Sequence, residues 1–400
     1  MKHIIFVIHT LAVGGAERRI SALADYTARR GHKVTILLID NPVVDFAVNP
    51  EVRVVCVNQN PQTDRYDSEK CELFKTERAV KTSLADNLRL RRARRKSSED
   101  YDFAETELFL KYKYALPLYE YLKQFPEAVI VSFMTIPNIS LMMAAQRLKN
   151  RVVFGDCTDI ANEYPEGSPF NALRKKYYSR ADAALFQTEV QSSYYSFLPG
   201  LVKNVIPNFI KSESLPGRFD GERTKEIVNF CHLTSVKNLP LLIDAFALLS
   251  KEYPDYTLLI YGEGSLKDEL LRKIASLGLE GRAFIRDFDL NIHSKIRNAA
   301  MFVSSSDREG ISNSMLEAMA IGLPCVCTDC LGGGARMMIE DGENGLLVPV
   351  RDAQVLYLAM KKIIENPDLA EKFSQNAVKI RERLEPGKIC SEMLSAITGE

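Results

Sequence analysis

The sequence has 400 residues, of which 46% are hydrophobic, so we expect two or three domains with cores of their own. Its 52 basic and 52 acidic side chains cancel, which argues against binding of nucleic acid through bulk charge. Its eight cysteines lack the regular spacing of a disulfide framework. We see neither a signal peptide nor a run of about 18 apolar residues that could span a membrane. We therefore expect a cytoplasmic protein.

The chain begins with the pattern of a strand, a helix and a second strand. Buried strands are predicted at residues 4–8 and 33–39, with a helix between them from about residue 16 to 30. Gly14 and Gly15 lie in the first turn, where backbone amides and a helix N-terminus suit a phosphate. Asp40 ends the second strand, as in dinucleotide-binding enzymes, but the G-x-G-x-x-G string is missing. A Rossmann dehydrogenase is therefore the weaker alternative.

Residues 60–105 interrupt the regular alternation and are polar and charged. Within them, the run from Arg89 to Lys96 holds six cations in eight positions. One interpretation is a solvated helix or a mobile insertion. The other is an electrostatic contact with anionic lipid, to which each cation near the surface contributes about 1 kcal/mol.

Strands and helices alternate again after this insertion and through the second half of the chain. Further strands are predicted at 128–133, 151–154, 183–186, 226–231, 257–261, 283–286, 299–303 and 325–327. This alternation predicts an α/β protein with two doubly wound parallel sheets. Asp156 and Asp159 follow one strand of the first half and are candidates for contact with an acceptor, although acids at strand ends also form turns.

Two polar segments follow strands of the second half. His232 and Lys237 come after the first of them, where a lysine before a helix suits a phosphate, although it could also be an exposed loop residue. Asp287-Phe288-Asp289 follows a later strand and has the form of an Asp-x-Asp metal motif. Three cysteines between 325 and 330 could suggest a metal, but we favour a buried strand there.

The stretch from Ser304 to Asp329 offers a pair of carboxylates. Glu309 falls in the loop after an apolar strand, and Glu317 falls about one turn inside the following helix, which Asn313 and its neighbouring serines can cap. Such a pair can accept hydrogen bonds from the hydroxyls of a sugar or a ribose. Gly310 allows close approach of the backbone, and the amides of the helix face an anion. The spacing alone is also explained by a surface loop and an amphipathic helix.

The segment that runs from Glu309-Gly310-Ile311-Ser312-Asn313 to Glu317 and Pro324 resembles the E-x7-E signature of the family 4 retaining glycosyltransferases. That family has the GT-B fold, in which two Rossmann-like domains face a cleft. In it, the first glutamate contacts the donor sugar and the second the nucleotide ribose. Gly14-Gly15-Ala16-Glu17-Arg18 resembles the family's first loop, which lies close to the donor phosphates and the acceptor. The resemblance covers nearly the whole chain except about residues 60–105.

The resemblance implies roles for the other candidates. Lys237 matches a lysine that grips the donor pyrophosphate, and His232 occupies the place of an arginine with the same role. A metal is not implied, since fixed cations would neutralise the diphosphate. The implied catalytic residues are Glu309, Lys237 and His232. The implied donor-binding residues are Gly14, Gly15, His232, Lys237, Asp287, Phe288, Glu309, Gly310, Ile311, Ser312, Asn313 and Glu317. Asp156 and Asp159 are the acceptor-side candidates.

The resemblance also implies the activity. We expect a retaining, metal-independent hexosyltransferase without a cofactor, which uses a UDP-sugar or another nucleotide sugar. Its acceptor would be a glycan or lipid-linked glycan in polysaccharide or glycoconjugate biosynthesis, and lipid-linked acceptors favour a peripheral contact of Arg89 to Lys96 with the inner face of the membrane. The expected domains are 1–204 on the acceptor side, 205–385 for the nucleotide sugar, and a helix in 386–400 that crosses back.

Two alternatives stay open. The first is a hydrolase in which Glu309 and Glu317 act as acid and base. The second is a catalytically reduced GT-B subunit that binds a glycan or a partner protein. Two departures from the family pattern favour this second alternative. His232 stands in place of an arginine, and the segment around Cys157, from Gly155 to Asp159, stands where many members of the family have a Glu-Arg-Asn or histidine-bearing loop.

Overall fold

A computed structural model describes residues 1–12, 14–58, 65–74, 83–156, 160–289 and 291–400. These residues form two compact units. The first consists of Met1–Ile206 with Cys390–Glu400, and the second of Pro207–Ile389. Within the described ranges, no helix is long and apolar enough to cross a membrane.

The first unit is built on a parallel sheet. Its described strands are β1 (His3–Ile8), β2 (Lys33–Leu38), β3 (Val52–Cys56), β4 (Glu72–Leu73), β5 (Val129–Phe133), β6 (Val152–Asp156), β7 (Ala183–Phe186) and β8 (Val202–Val205). They are ordered β4-β3-β2-β1-β5-β6-β7-β8, and all paired neighbours run parallel. Residues 4–8 of β1 are fully buried, as expected of a strand covered on both faces. The strand order reverses between β1 and β5, which makes this place the topological switch point.

Helices flank this sheet. They are α1 (Gly15–Arg29), α2 (Leu84–Lys96), α3 (Ser98–Leu110), α4 (Leu116–Leu122), α5 (Thr135–Ala145), α6 (Ile160–Glu163), α7 (Pro169–Tyr177), α8 (Glu189–Ser193) and, after the second unit, α17 (Pro386–Thr398). A π-helical turn at Lys111–Ala115 joins α3 to α4. The charged insertion is therefore helical from residue 84 onward, and α2 has no buried residue, as the solvated-helix interpretation predicted.

A buried carboxylate connects three helices of the first unit. The side chain of Glu107 on α3 is only 2% exposed. It accepts hydrogen bonds from Lys176 (2.5 Å) and Tyr177 of α7, and it pairs with Arg89 of α2. Burial alone would raise the pKa of Glu107, but these donors prevail and hold its pKa below the usual value. Glu107 therefore stabilises the packing of α2 and α7 on α3.

The second unit repeats the architecture. Its strands are β9 (Glu226–Phe230), β10 (Thr257–Tyr261), β11 (Ala283–Arg286), β12 (Met301–Ser304), β13 (Cys325–Thr328) and β14 (Leu346–Val348). Its helices are α9 (Leu239–Glu252), α10 (Lys267–Ser276), α11 (Ile292–Ile296), α12 (Asn313–Ala320), α13 (Gly334–Met338), α14 (Ala353–Glu365), α15 (Pro367–Ala377) and α16 (Ile380–Arg383). The parallel sheet is ordered β11-β10-β9-β12-β13-β14, so its switch point lies between β9 and β12.

The predicted α/β class with two doubly wound parallel sheets is confirmed. The predicted buried strand around Cys325 and Cys327 is also confirmed, because β13 is buried throughout. Burial raises the pKa of the Cys330 thiol to about 12, and it raises that of Cys325 as well. These sulfurs are therefore packing groups in their thiol form.

Glu107→Gln should lower the free energy of unfolding at neutral pH by about 1–3 kcal/mol, because charge-assisted hydrogen bonds become neutral ones. A carboxyl whose pKa is lowered by folding stabilises the fold above its unfolded pKa and loses that contribution as pH falls through the folded pKa. The difference between wild type and variant should therefore shrink below about pH 4.3. Chemical denaturation at several pH values measures it.

Asp102→Asn is the matched control, since it removes an exposed carboxylate from the same helix as Glu107. It should leave stability unchanged at neutral pH. Equal loss in both variants would contradict the role of Glu107.

Candidate functional site

Three of the predicted donor-binding residues of the second unit lie at its switch point, whereas Asp287 and Phe288 follow β11 at the edge of the sheet. His232 and Lys237 follow β9, and Glu309 follows β12, which are the two strands at which the order of the sheet reverses. Open parallel sheets bind ligands outside the carboxyl ends of their strands at this place. These three residues therefore lie where the topology favours a ligand.

Lys237 and Glu309 contact each other directly. Lys237 Nζ donates a hydrogen bond to Glu309 Oε1, and Ser306 Oγ donates one to Oε2 over 2.9 Å. The two side chains are 18% and 19% exposed, so both can be reached from solvent. The pair offers a cation for a phosphate and a carboxylate for hydroxyl groups, at a fixed separation.

Hydrogen bonds tie the lysine loop to the glutamate loop. Ser305 Oγ donates to the carbonyl of Lys237 over 3.0 Å, and the Asp307 amide donates to the carbonyl of Val236 over 2.9 Å. Asn238 has a left-handed backbone (φ 43°) and donates from Nδ2 to Asp307 Oδ1 over 2.9 Å. Asn238 and Asp307 were not predicted from the sequence. An asparagine before Leu-Pro was the available signal, since asparagine tolerates this conformation.

Two glycines support the loop of Glu309 from the other side. The Glu309 amide donates to the carbonyl of Leu331 over 2.9 Å. A Cβ on Gly332, whose φ is +108°, would lie 2.0 Å from the carbonyl oxygen of Glu309. A Cβ on Gly334 would lie 1.7 Å from that of Gly310. The close approach of two backbones therefore requires glycine at both positions.

Glu317 lies on α12, whose N-terminus is capped by Ser312 through a hydrogen bond from the Met315 amide (3.4 Å). Glu317 Oε2 is 2.9 Å from Nε2 of His293 on α11. The imidazole packs edge-to-face on Phe230, with ring centroids 5.6 Å apart. His293 was not predicted, because nothing in a five-residue helix indicates which distant carboxylate its histidine meets.

The other predicted residues of this unit differ in their surroundings. His232 is exposed, and its imidazole has no hydrogen-bond partner among the residues that the structure describes. Ile311 is buried and Gly310 is half-buried, while Asn313 is exposed and accepts a hydrogen bond from Asn208 over 3.4 Å. Gly310 and Ile311 lie in the Glu309 loop, and Asn313 is the first residue of α12.

The Asp-x-Asp segment has lysine partners. Asp287 accepts a hydrogen bond from Lys267 over 2.5 Å, and Asp289 accepts one from Lys295. These bonds lower the pKa of both carboxyls. Phe288 between them is 63% exposed. In the described part of the chain, no group of three or more His, Cys, Asp or Glu residues is placed to hold a metal ion.

In the first unit, the glycine-rich turn and Asp156 lie apart along the sheet, since the turn follows β1 and Asp156 ends β6. Gly14 precedes α1 in extended conformation, and Gly15 is the exposed first residue of that helix. Asp156 ends β6, is fully buried and accepts a hydrogen bond from the Tyr195 hydroxyl over 2.5 Å. Asp159 and Cys157 lie outside the described residues.

Comparison with known proteins identifies similar chains. The family described as glycosyl transferases group 1 matches residues 218–380. A Campylobacter jejuni protein named N-acetylgalactosamine-N,N'-diacetylbacillosaminyl-diphospho-undecaprenol 4-alpha-N-acetylgalactosaminyltransferase is 31% identical in an alignment of 285 residues that covers 67% of this chain and 75% of the relative. A second C. jejuni relative, an alpha-1,4-N-acetyl-D-galactosaminyltransferase named for a diphospho-undecaprenol-linked glycan, is 23% identical over 99% of this chain and 98% of its own.

Similarity of fold extends over the whole chain. A crystal structure of S. aureus TarM in complex with fondaparinux, alpha-GlcNAc-glycerol and UDP superimposes with a TM-score of 0.70, at 15% identity, and covers 99% of this chain and 100% of that one.

Gly334→Ala should lower the free energy of unfolding by about 2–4 kcal/mol, because the new methyl group meets backbone that cannot move away without displacing the Glu309 loop. Thermal and chemical denaturation measure this loss. Gly217→Ala is the matched control in the same unit, since a Cβ there meets nothing within 4 Å and its φ is not positive. A Gly334→Ala variant as stable as Gly217→Ala would show that the two loops are not in contact.

Proposed function

Since this chain belongs to the group 1 glycosyltransferase family and is a glycosyltransferase of GT-B fold, we propose that it transfers a hexosyl unit from a UDP-sugar to a glycan or lipid-linked glycan with retention of anomeric configuration. The two C. jejuni relatives are named for sugar transfer to diphospho-undecaprenol-linked glycans, which supports such an acceptor. The UDP in the TarM complex supports the donor.

The observation that carries the proposal is the hydrogen-bonded pair of Lys237 and Glu309 at the switch point of the second sheet. In the proposed reaction, Lys237 neutralises the charge that develops on the departing diphosphate. Glu309 accepts hydrogen bonds from hydroxyls of the donor sugar and so orients its anomeric carbon. Ser306 holds Oε2 of Glu309 in place before the ligand arrives.

The proposed bond changes need no nucleophile from the protein. The acceptor oxygen forms a bond to the anomeric carbon on the face from which the diphosphate leaves. The bond between that carbon and the diphosphate oxygen breaks, and a diphosphate oxygen takes the proton of the acceptor hydroxyl. UDP then leaves with that proton, and placement of the reactants supplies most of the rate.

Glu317 is assigned to the nucleotide in this proposal. Its carboxylate would accept hydrogen bonds from the ribose hydroxyls, while His293 fixes the position of Oε2. Phe288, which is largely exposed, would contact the base. His232 would approach the diphosphate from the loop that also bears Lys237.

We propose that the transfer needs no divalent metal. Lys237 and the N-terminal amides of α12 can neutralise a diphosphate. Asp287 and Asp289, the candidate metal-binding pair, each bond to a lysine.

A further part of the proposal concerns a peripheral membrane contact by α2. The outer surface of this helix bears Leu84 and Leu88, which are 77% and 44% exposed. Arg91, Arg92 and Arg95 are exposed on the same helix. Apolar side chains among cations are the combination that binds an anionic bilayer surface.

Side-chain contacts distinguish these arginines from the other cations of the run. Arg89 pairs with buried Glu107, and Lys96 pairs with Asp100 over 3.0 Å. Arg94 lies 5.8 Å from the ring centroid of Tyr101. The contact with lipid is therefore assigned to Arg91, Arg92 and Arg95.

The function is tested by incubating purified protein with isotope-labelled UDP-sugars and glycan acceptors, with and without EDTA. We expect transfer that survives EDTA. Glu309→Ala should reduce transfer about 100-fold or more and leave UDP affinity within about threefold, whereas Glu317→Ala should weaken UDP binding about tenfold or more. Glu222→Ala, an exposed glutamate of the same unit, should change neither.

Other results would reject specific parts of the proposal. Release of sugar to water alone would indicate a hydrolase, and UDP binding without turnover would indicate a reduced subunit. Equal weakening of UDP binding by both glutamate variants would contradict their separate roles. Activity lost in EDTA and restored by magnesium or manganese would make Asp287 and Asp289 the first candidates for metal ligands.

For the membrane contact, replacement of Arg91, Arg92 and Arg95 by Gln should weaken binding to vesicles of anionic phosphatidylglycerol about 100-fold at low salt. Transfer to a soluble acceptor should not change. Lys251, Arg272 and Lys388, which are exposed in the second unit, provide a control triple variant with the same loss of charge. The contact would be rejected if wild type does not bind such vesicles, or if the control variant loses as much vesicle binding as the arginine variant.

A further inference from the structure

A cluster of polar and aromatic side chains lies at the carboxyl edge of the first sheet, beside its switch point. His9 directly follows β1, and Asp40 follows β2. The amide of Ile39 donates to the carbonyl of Ile8 over 3.0 Å, and the amide of Asp40 donates to that of His9 over 3.1 Å. The ladder between β1 and β2 thus continues past the strands and fixes His9 and Asp40 side by side.

The π-helical turn at Lys111–Ala115 brings two more side chains to Asp40. Lys113 Nζ is 3.2 Å from Asp40 Oδ1, and the Tyr114 hydroxyl donates to the same oxygen over 3.3 Å. The Tyr114 ring also packs against the His9 ring, with centroids 6.1 Å apart. Turns of this kind insert one residue into a helix and often occur at functional sites. Here the turn aims adjacent residues, Lys113 and Tyr114, at one carboxylate.

An exposed aromatic ring borders these residues. Phe109 on α3 is 53% exposed. Its ring meets Tyr114 edge-to-face with centroids 6.0 Å apart, and Lys113 Nζ lies 5.4 Å from its centroid. Single exposed apolar residues are common on protein surfaces. This one, however, is held by two members of a polar cluster and presents its free surface beside them.

The charges of this group, which we call the Asp40 cluster (His9, Asp40, Phe109, Lys113 and Tyr114), balance each other. Lys113 and Asp40 form an ion pair in which the side chains are 39% and 27% exposed. Burial lowers the pKa of His9, so the imidazole is neutral at physiological pH. The Asp40 carboxylate would repel a phosphate, and the charges of Lys113 and Asp40 cancel. The cluster therefore favours an uncharged ligand with many hydroxyl groups.

We propose that the Asp40 cluster binds the sugar ring of the acceptor, an uncharged pyranose. The apolar face of the ring lies on Phe109, its hydroxyls donate to Asp40, and Lys113 donates to a further hydroxyl. This assignment rests on the proposed function, which requires an acceptor sugar. It uses a carboxylate that a ligand can reach, whereas Asp156 is fully buried.

The test measures sugar binding and catalysis separately. Binding of the p-nitrophenyl α-glycosides of N-acetylgalactosamine, N-acetylglucosamine, galactose and glucose to the full chain is followed by saturation-transfer NMR in the presence of UDP. Phe109→Ala should weaken binding of the sugar that wild type selects, and raise its KM, about three- to tenfold. Asp40→Asn should do so about tenfold or more. The KM for UDP-sugar should stay within about twofold in both.

Tyr194→Ala and Asp25→Asn are matched controls, because they alter an exposed aromatic and a partly exposed acid elsewhere in the first unit. Both should bind the glycoside as wild type does. If Asp40→Asn does not fold, Phe109→Ala still tests the subsite, because the Phe109 ring is largely exposed and its removal should not prevent folding.

The outcomes separate this inference from the proposed function. No glycoside signal in wild type, unchanged binding in both variants, or equal changes in the KM of donor and acceptor would overturn the subsite. Transfer that continues unchanged in both variants would leave the glycosyltransferase assignment intact while rejecting the subsite. Binding that both variants weaken, in a protein that transfers nothing, would support the subsite and reject the proposed function.

Discussion

The second unit depends on one constraint, which is that β9 and β12 lie side by side, run parallel and end at the same edge of the sheet. Residues far apart in sequence are thereby brought to one place, and Lys237 can bond to Glu309. The connections through Ser305, Asn238 and Asp307 then fix one loop to the other. The buried strands cannot shift without disrupting the core, so the loops that bear Lys237 and Glu309 are held rigidly at their ends.

The cation and the carboxylate of this site satisfy each other in the free protein. In the proposed function, a bound donor would compete with that ion pair, but it would gain two groups that are already in place, so little side-chain order would have to be created on binding. The Asp40 cluster repeats the principle in the first unit, where Lys113 and Asp40 neutralise each other. In both units, a balanced pair at a strand edge keeps polar groups ordered and within reach of solvent.

The sequence predicted ten of the fourteen described strands, because buried parallel strands appear as apolar runs, but it missed β3, β4, β8 and β14, most of which lie at the edges of the sheets. It also singled out Lys237 and Glu309, which follow β9 and β12, and Glu317, which lies on the helix after Glu309. It could not identify His293 as the partner of Glu317, nor Lys113 as the partner of Asp40, since such pairs depend on how distant segments pack. The π-helical turn was likewise not predictable, because its sequence is compatible with an ordinary helix. Asp156 follows a strand as Glu309 does, yet it is buried, and only packing distinguishes the two.

The close approach of Gly332 and Gly334 to the backbone at Glu309 and Gly310 limits how this enzyme can be recombined with others. The E-x7-E stretch is not a portable module, because its loop is shaped by a second loop that lies beyond β13 and by a third that follows β9. A chimera that exchanges the stretch alone would place its loop against two loops from a different protein, whose backbones are not shaped to fit it. Crossovers that preserve the site must fall outside all three loops, so the smallest transferable piece runs from β9 to α13.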